Sequence, residues 1–227
     1  MAGPISLTGC GTIDQPGSYI LEQPVFVNPW QTCFVIQADF VTLDLGGNLV
    51  WGTTNSTGVD VRSARGTTVR NGAFKGFDTG ITATYAAGTT IERVVFKENT
   101  TGARVSNTVI RDSHVVDNTS YGLALGGGSL VTGTTFSGNM FGIIGGDGST
   151  ISGNVLSQNS YGIYMVGSYP AGGSTVVNNT VNGNSGTGVV VSCPSNVMGN
   201  TIVNNNWNQG NLALQGDGCN STNNVAP

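Results

Sequence analysis

The chain repeats itself with a period of about 20 to 22 residues, and this period limits its fold more than any other feature. A glycine followed by a short apolar stretch recurs at steps of 22, 22, 20, 20, 20, 26 and 22 residues. The glycines of this series are Gly58, Gly80, Gly102, Gly122, Gly142, Gly162, Gly188 and Gly210. A fixed period of this length is the sequence signature of solenoids and related repeat architectures.

Each repeat contains three short apolar stretches separated by polar bends. The first has the form Gly-apolar-x-apolar, as in residues 162–165, and the second has the form Thr-apolar, as in Thr150-Ile151. The third centres on an apolar residue six positions before the next glycine, and these residues are Phe74, Phe96, Val116, Phe136 and Leu156. No repeat has the i, i+3, i+4 spacing of an amphipathic helix. The pattern therefore predicts three strands per repeat.

Asparagines recur at one bend of the repeat. Asn99, Asn139 and Asn159 lie three residues before the next glycine, and Asn118, Asn184 and Asn206 lie three or four before theirs. Asn tolerates the left-handed backbone of a tight bend, and stacked amides hydrogen-bond from one layer to the next. We therefore predict an all-β fold, a single-stranded parallel β-helix of about eight coils. Coils would lie about 4.8 Å apart, wound right-handed because parallel crossovers favour that hand.

Composition excludes several classes of protein. Charged residues make up only 9% of the chain, against about 25% in an ordinary soluble domain, yet the regular apolar spacing argues against disorder. The net charge of −4 and the pI near 4.6 argue against a nucleic-acid partner. No apolar run is long enough to span a membrane, so neither nucleic acid nor membrane is a predicted partner.

The four cysteines fall as one pair near each end of the chain, with no CxxC spacing that would indicate zinc. We predict the disulfides Cys10–Cys33 and Cys193–Cys219, with free buried thiols as the alternative. Disulfides indicate an oxidising compartment, so the predicted location is extracellular or periplasmic.

We predict a single domain because the repeat runs through most of the chain. A solenoid exposes an unpaired strand edge at each end and needs caps there. Residues 1–32 are aperiodic and rich in proline, and they are predicted to form the N-terminal cap and the lead into the coils. Residues 33–210 are assigned to the coils and 211–227 to the C-terminal cap.

The repeat TISGNVLSQNSYGIYM and the N-terminal run GTIDQPGSYILEQPVFVNPWQTCFVIQADFVTLDLGGNLV resemble the right-handed parallel β-helix, pectate-lyase-like superfamily. The resemblance covers nearly the whole chain and implies the fold and a polysaccharide or cell-surface glycan as partner. Lyases, hydrolases, epimerases, adhesins and binding proteins share this repeat, so it implies no particular reaction. The paired Asp-Asp and Gly-His-Gly of polygalacturonases and the Asp-Pro-His-Asp of alginate epimerases are absent from this sequence.

All eight Lys and Arg residues lie between residues 62 and 111, and the single histidine, His114, follows directly. Ile110 lies twelve residues before Gly122 where other coils have eleven, which predicts one extra residue at the bend 111–114. Such bulges are over-represented beside active sites. In the functional interpretation His114 is a general base, and Asp112 orients it or pairs with Arg111.

Cations on the neighbouring coils would then hold a sugar carboxylate or sulfate and stabilise negative charge. The residues assigned to this role are Arg70, Arg93 and Lys97. The alternative is that Arg70, Glu92 and Arg111, which alternate in sign along one outward column, simply pair with one another.

Two further features carry alternatives of their own. Tyr121, Phe141 and Tyr161 precede successive glycines and would form a sugar-binding strip, or else an ordinary aromatic stack. The long coil 162–187 contains the stretch GSYPAGG at 167–173, in which Tyr169 would cover a groove. Simple variation in loop length is the alternative.

The sequence thus predicts a secreted β-helix that binds or acts on a polysaccharide, an acidic one in the favoured interpretation, through coils 58–121. A non-catalytic structural or adhesive module is the alternative. No cofactor is predicted, and no metal site, because there is one histidine and the acids lack calcium-loop spacing. The sequence leaves the oligomeric state open, and it leaves open whether the protein is an enzyme.

Overall fold

The computed structural model describes residues 3–166, 173–206 and 210–227, and these residues form a parallel β-solenoid. Its 28 strands pair in parallel in two sheets, one of ten strands and one of 18. The chain makes about nine turns, so the predicted all-β parallel solenoid is confirmed. The described residues contain no helix of the length and apolar character needed to cross a bilayer.

The ten-stranded sheet takes one strand from each coil, the stretch that begins near the recurrent glycine. Numbered in chain order, its strands are β2 (Gly11–Ile13), β5 (Thr32–Ile36), β8 (Thr57–Val61), β10 (Thr79–Ala83), β12 (Thr101–Val105), β15 (Tyr121–Leu125), β18 (Phe141–Gly145), β21 (Tyr161–Met165), β24 (Val189–Ser192) and β27 (Leu212–Gln215).

The 18-stranded sheet contains the other two strands of each coil and bends between them. Its strands are β1 (Ile5–Leu7), β3 (Gly17–Leu21), β4 (Val25–Phe26), β6 (Val41–Asp44), β7 (Leu49–Trp51), β9 (Thr68–Lys75), β11 (Thr89–Lys97), β13 (Thr108–Arg111), β14 (His114–Val116), β16 (Leu130–Thr132), β17 (Thr135–Ser137), β19 (Thr150–Ser152), β20 (Val155–Ser157), β22 (Thr175–Val177), β23 (Thr180–Asn182), β25 (Asn196–Met198), β26 (Thr201–Val203) and β28 (Asn220–Thr222). In β9 and β11 the second and third strands of the coil form one continuous strand.

Apolar side chains from all three strands stack inside the solenoid in continuous columns. One column, from the third strand of each coil, is fully buried and contains Val50, Phe74, Phe96, Val115, Phe136, Leu156, Val181 and Ile202. The sequence analysis placed Val116 in this column, and that assignment is wrong. Val115 is buried, whereas Val116 lies outside in register with Lys97. The side chains of a strand alternate between faces, so a shift of one residue exchanges the two valines.

The recurrent glycines are needed because there is no room for a side chain. A Cβ atom built on Gly122 would lie 2.4 Å from the backbone oxygen of Gly142 and 2.9 Å from a methyl carbon of Val115. The sequence analysis included Gly210 in this series, and that assignment is wrong. Val189 pairs with Leu212, so Asn211 occupies the place next to Gly188.

The predicted asparagine column is a ladder of buried amides. Asn99, Asn118, Asn139, Asn159, Asn184, Asn205 and Asn211 each bond to the next through their side chains. The assignment of Asn206 to this column is wrong, because Asn184 donates to Asn205. A second ladder at the preceding bend joins Asn154, Asn179, Asn200 and Asn224. In both ladders each Oδ1 also accepts a backbone N–H from the previous coil, so the bends have their polar groups satisfied.

Both predicted disulfides are present, and each links two neighbouring coils at one end of the solenoid. The Cα atoms of Cys10 and Cys33 are 4.5 Å apart, and those of Cys193 and Cys219 are 4.9 Å apart. The described residues contain no free cysteine. Parallel pairing also extends into both segments predicted as caps, because β1 to β4 and β27 to β28 pair with neighbouring coils.

Candidate functional site

The register of the 18-stranded sheet brings the charged residues of several coils onto one outer face. Asp44, Arg70, Glu92 and Arg111 occupy one outward column. Lys75 and Lys97 occupy a second column on the same sheet, with Glu98 at the bend beside them. We call the eight side chains Asp44, Arg70, Lys75, Glu92, Arg93, Lys97, Glu98 and Arg111 the charged face. It holds five cations and three carboxylates, and Asp112 and Asp117 border it on the next coil.

Glu92 is the centre of this face. It is only 5% exposed, and its two carboxylate oxygens accept hydrogen bonds from Arg93 at 2.6 Å and from Arg111 at 2.5 Å. Burial raises the pKa of Glu92, but the hydrogen bond from Arg111 and the charges of both arginines outweigh burial and lower it below its ordinary value. Glu92 is therefore an anion that fixes two arginines. About half of each arginine side chain remains exposed.

A second ion pair extends the network toward the N-terminal coils. Arg70 donates to Asp44 at 2.9 Å, and Asn71 donates to the same carboxylate oxygen at 2.9 Å. Asn71 in turn accepts from Arg93 at 2.8 Å, which connects this pair to Glu92. Burial raises the pKa of Asp44, but the backbone N–H of Gly46, Arg70 and Asn71 together lower it.

The predicted pairing of the outward column is present for Arg111, which pairs with Glu92 of the previous coil. Arg70 pairs with Asp44 of its previous coil and not with Glu92, so that part of the prediction is wrong. The charges alternate in sign along this column, and neighbouring opposite charges across a sheet stabilise it. Lys75 and Lys97 both pair with Glu98, at 3.1 and 3.2 Å.

Two charged residues of this face occupy backbone positions that disfavour them. Arg93 has a φ of 52° and Glu98 a φ of 55°, a left-handed conformation in which most non-glycine residues are strained. Other coils place glycine or asparagine at the bend of Arg93, as at Gly133, Gly153 and Asn178. Asp112, Asp117 and Gln158 have the same backbone conformation at the equivalent bends of other coils, so the repeat sets the conformation of these bends.

The predicted catalytic group does not assemble as expected. His114 is exposed on β14, and its Nδ1 lies 2.6 Å from the Thr135 hydroxyl oxygen. Arg111 pairs with Glu92 rather than with Asp112. Asp112 lies at a left-handed bend, with a φ of 51°. Among the described residues no carboxylate is bonded to the His114 ring.

The extra residue predicted at the bend 111–114 is also misplaced. Glu92 and Arg111 are in register, as are Val95 and His114, so this bend has the same length as that of the preceding coil. The additional residue follows Asn118. There the N–H groups of Ser120 and Tyr121 both donate to the Thr100 carbonyl oxygen, the signature of a β-bulge.

The aromatic residues form a stack on the outside of the ten-stranded sheet. The rings of Phe141 and Tyr161 lie face to face, with centroids 4.8 Å apart and planes inclined by 11°. Tyr121 packs against Phe141 at 5.8 Å, and Tyr164 meets both Phe141 and Tyr161 edge-on. A Cβ atom on Gly186 would come within 3.1 Å of the Tyr161 ring, so the backbone lies close to that ring. The three rings are half-buried and pack against one another, which favours the interpretation as an ordinary aromatic stack.

Sequence reasoning missed one outward column, which leads into the charged face from the N-terminal side. Phe26 and Trp51 are in register with Lys75 and Lys97. The alignment of Trp51-Gly52 on Lys75-Gly76 is visible in the sequence and would have indicated it. The loop 167–173 with Tyr169, also singled out in the sequence, lies outside the described residues except for Gly173.

Comparison with known proteins gives two family matches. A model described as right handed beta helix region matches residues 31–156, more than half of the chain. A model described as periplasmic copper-binding protein (NosD) matches residues 126–226. No curated protein sequence matches the chain.

Solved structures share the fold at low identity. The periplasmic alginate epimerase AlgG is 16% identical, with a TM-score of 0.52, over 84% of this chain and 59% of its own. The A-module of the Azotobacter vinelandii mannuronan C-5 epimerase AlgE4 is 13% identical, with a TM-score of 0.57, over 82% of this chain and 69% of its own. The tailspike protein gp49 of Acinetobacter baumannii bacteriophage Fri1, a capsular polysaccharide depolymerase, is 10% identical, with a TM-score of 0.56, over 88% and 51%. The chain thus spans less than two thirds of AlgG and of the tailspike.

The residues of the second matched segment do not fit copper. Copper sites in proteins use imidazole, thiolate and thioether ligands. Residues 126–226 contain no histidine, and both cysteines of this segment are joined in a disulfide. The described residues contain no group of three or more His, Cys, Asp or Glu that is able to hold a metal ion. Of the ligand types that copper uses, the segment contains only methionine thioethers, at Met140, Met165 and Met198, and Met165 is buried in the core.

Proposed function

Because the chain belongs to the right handed beta helix family, we propose that it is a β-helix protein that binds an acidic polysaccharide outside the cytoplasm. We propose the charged face as the binding surface. The observation that carries the proposal is the placement of five cations in fixed positions on adjacent coils, each held by an ion pair and still about half or more than a third exposed.

The geometry suits a polyanion that lies along the solenoid axis. Successive coils are about 4.8 Å apart, so such a chain meets a cation at each coil from Arg70 to Arg111. Arginine presents several N–H donors in a planar fork that matches carboxylate and sulfate groups. Since Glu92 uses only part of the forks of Arg93 and Arg111, their remaining donors are available to a ligand.

Three further observations support the proposal. The fold neighbours named above include epimerases of alginate and mannuronan and a capsular polysaccharide depolymerase. The two disulfides suit an oxidising compartment. The family matched by residues 126–226 is described as periplasmic.

Affinity electrophoresis through gels that contain alginate, polygalacturonate or neutral dextran tests the proposal. We expect retention in the acidic gels only, and weaker retention as salt increases, because exposed charges are screened. In the Arg93→Gln variant retention should fall by about threefold or more, while Glu92 keeps Arg111 as a partner. The matched control is Arg104→Gln, which removes one exposed cation from β12 on the other sheet.

Equal loss of retention in Arg93→Gln and Arg104→Gln would show that only bulk charge matters and would contradict the charged face. No retention of the unaltered protein on any polysaccharide would contradict the proposed function and favour the structural or adhesive module.

A catalytic role of His114, Asp112 and Arg111 is a second candidate. One observation favours it: the His114 ring is exposed at the border of the charged face and is held through Nδ1 by Thr135, which leaves Nε2 for a substrate proton.

A further inference from the structure

A shallow depression lies at the N-terminal side of the charged face, in the outward column that contains Phe26, Trp51, Lys75 and Lys97. Its volume is about 240 Å³, and it is lined by Leu49, Trp51, Gly52, Lys75 and Gly76. Two of the lining residues, Gly52 and Gly76, are glycines and contribute only backbone to the depression. A site for a whole drug-sized ligand is usually about 300–1,000 Å³, so this one suits a single small unit such as one sugar.

The lining combines an apolar ring with a cation. Trp51 is half-buried, and Phe26 supports it with ring centroids 5.8 Å apart. Lys75 borders the same depression, and Lys97 follows it in the column on the next coil. Indole rings provide flat apolar surface for the C–H faces of a sugar, and an ammonium group binds a carboxylate.

The bend residue is Gly52 after Trp51 and Gly76 after Lys75, and on the next coil it is Glu98 after Lys97. Its carboxylate reaches back to Lys75 at 3.1 Å and to Lys97 at 3.2 Å, so one exposed carboxylate joins both ammonium groups. The φ of 55° at Glu98 is strained for this residue type. The equivalent bends of other coils are also left-handed, at Gly76, Asp117 and Gln158, so this backbone belongs to the repeat.

We propose that the depression is a subsite for one carboxylated sugar unit and that Glu98 is its internal competitor. The sugar ring would lie against Trp51, and its carboxylate would replace that of Glu98 between Lys75 and Lys97. The class of ligand rests on the proposed function, whereas the place differs from the Glu92 network. A neutral sugar offers no carboxylate to exchange, so it leaves the Glu98 pairs in place. The subsite thereby selects uronates over neutral sugars.

Titration of ¹⁵N-labelled protein with a galacturonate oligomer, followed through the indole N–H resonances, tests the subsite directly. We expect the Trp51 resonance, identified by its loss in Trp51→Phe, to move with added oligomer, while that of exposed Trp30 stays unchanged. The same oligomer with its carboxyl groups reduced to alcohols should leave Trp51 unmoved. Equal movement with both oligomers, or none with either, overturns the proposal.

The role of Glu98 is tested by Glu98→Gln, a change the backbone accepts because Gln158 has a φ of 58° at the equivalent bend of a later coil. We expect binding of the oligomer to tighten by about two- to fivefold, the equivalent of one exposed ion pair. Asp60→Asn is the matched control, because it removes another carboxylate, which is partly exposed and pairs with Arg62 away from the depression. Unchanged affinity in Glu98→Gln, or the same gain in both variants, contradicts the competitor.

The two proposals fail separately. A Trp51 shift without retention in acidic gels supports the subsite and contradicts the polysaccharide-binding face. The opposite result is that acidic gels retain the protein, the Trp51 resonance does not move, and Glu98→Gln does not change the affinity for the oligomer. That result supports the charged face and contradicts the subsite.

Discussion

Glu92 accepts a hydrogen bond from Arg111 of the following coil at 2.5 Å, and this contact fixes the charged face across two coils. Arg93 donates to the other oxygen of the same carboxylate at 2.6 Å. The acid is buried while both bases are about half exposed. The arrangement therefore keeps the arginine positions constant while part of each guanidinium remains in contact with solvent.

This contact predicts a dependence of stability on pH. The pKa of Glu92 is lower in the folded protein than its ordinary value near 4.5, and the pKa of Asp44 is lowered in the same direction. Each carboxylate therefore contributes stability that is fully present above its unfolded pKa and is lost as pH falls through its folded pKa. Urea unfolding at about pH 7 and about pH 3.5 should show this loss.

The Glu92→Gln variant isolates the contribution of this one residue. We expect it to be about 1 kcal/mol less stable than the unaltered protein at neutral pH and to lose less on acidification. Asp217→Asn, in the exposed loop between β27 and β28, is the control and should behave like the unaltered protein. If Glu92→Gln loses as much stability in acid as the unaltered protein, Glu92 does not contribute.

The asparagine ladder should be a main source of stability. Asn139 donates to Asn159 at 2.8 Å and to the Val115 carbonyl at 3.0 Å, and it accepts from both the side chain and the backbone N–H of Asn118. It also donates to the Ser137 carbonyl at 3.1 Å. Asn139→Ala removes all five bonds inside the protein, so we expect a loss of about 3 kcal/mol or more in the free energy of unfolding.

Two further variants sharpen the ladder prediction. Asn182→Ala changes an exposed asparagine on β23 and should stay within about 0.5 kcal/mol. Asn139→Asp keeps the acceptor for Asn118 but places a carboxylate oxygen against the oxygens of Asn159 and Val115. It should be at least as destabilising as alanine at neutral pH. If Asn139→Asp leaves the free energy of unfolding unchanged, the Asn139 side chain does not donate to Asn159 and Val115.

The sequence predicted the coil because the coil depends on periodic spacing alone, and it predicted the disulfides because one pair of cysteines lies near each end. The pair of Glu92 with Arg111 follows from the same spacing, because both residues occupy one column. It misassigned Val115 and Val116 because two adjacent apolar residues do not reveal which one faces inward. Asn118 lies four residues before Gly122 where most of its counterparts lie three before theirs. An alignment on the asparagines would therefore have placed the extra residue after Asn118 and not at His114.

Other parts of the site depend on properties that a residue pattern does not carry. The three consecutive asparagines at 204–206 are equivalent in sequence, and only packing decides that Asn205 enters the ladder. The burial of Glu92 and the left-handed backbone at Glu98 likewise follow from the register of neighbouring coils. Arg93, which pairs with Glu92, and the two lysines that pair with Glu98 come from other positions of the repeat, so the charge pattern of one column does not predict these pairs.

The recurrent glycines predict a strong steric effect. Gly122→Ala would place a Cβ atom 2.4 Å from the Gly142 oxygen, which is backbone and unable to move aside. We expect a loss of about 2 kcal/mol or more, measured by thermal or urea unfolding. Gly11→Ala, on β2 with no atom within 4 Å of its built Cβ, is the matched control and should be within about 0.5 kcal/mol. Comparable losses in both variants would contradict a requirement for space at the corner.

The disulfide Cys193–Cys219 should stabilise the C-terminal coils more than the rest of the solenoid. It closes a segment with a separation of 26 residues, and loops of this length are typically stabilised by about 3 kcal/mol. In the double variant Cys193→Ser with Cys219→Ser, amide hydrogen exchange should rise first in β27 and β28. Exchange that rises equally in β9 and β11 would mean that the solenoid unfolds as one unit and would contradict a local role.

His114 separates the two functional proposals. The ring lies outside the ion-pair network and contacts Thr135, so His114→Ala should change stability by no more than about 0.5 kcal/mol and leave retention in acidic gels unchanged. The same variant and the unaltered protein are assayed for lyase, hydrolase and epimerase activity on uronate-containing and neutral polysaccharides. Turnover that His114→Ala abolishes, with retention intact, would support the catalytic role of His114, because only a proton-transfer group is then lost. Absence of turnover by the unaltered protein on every substrate contradicts that role, and unchanged retention then leaves binding by the charged face as the function.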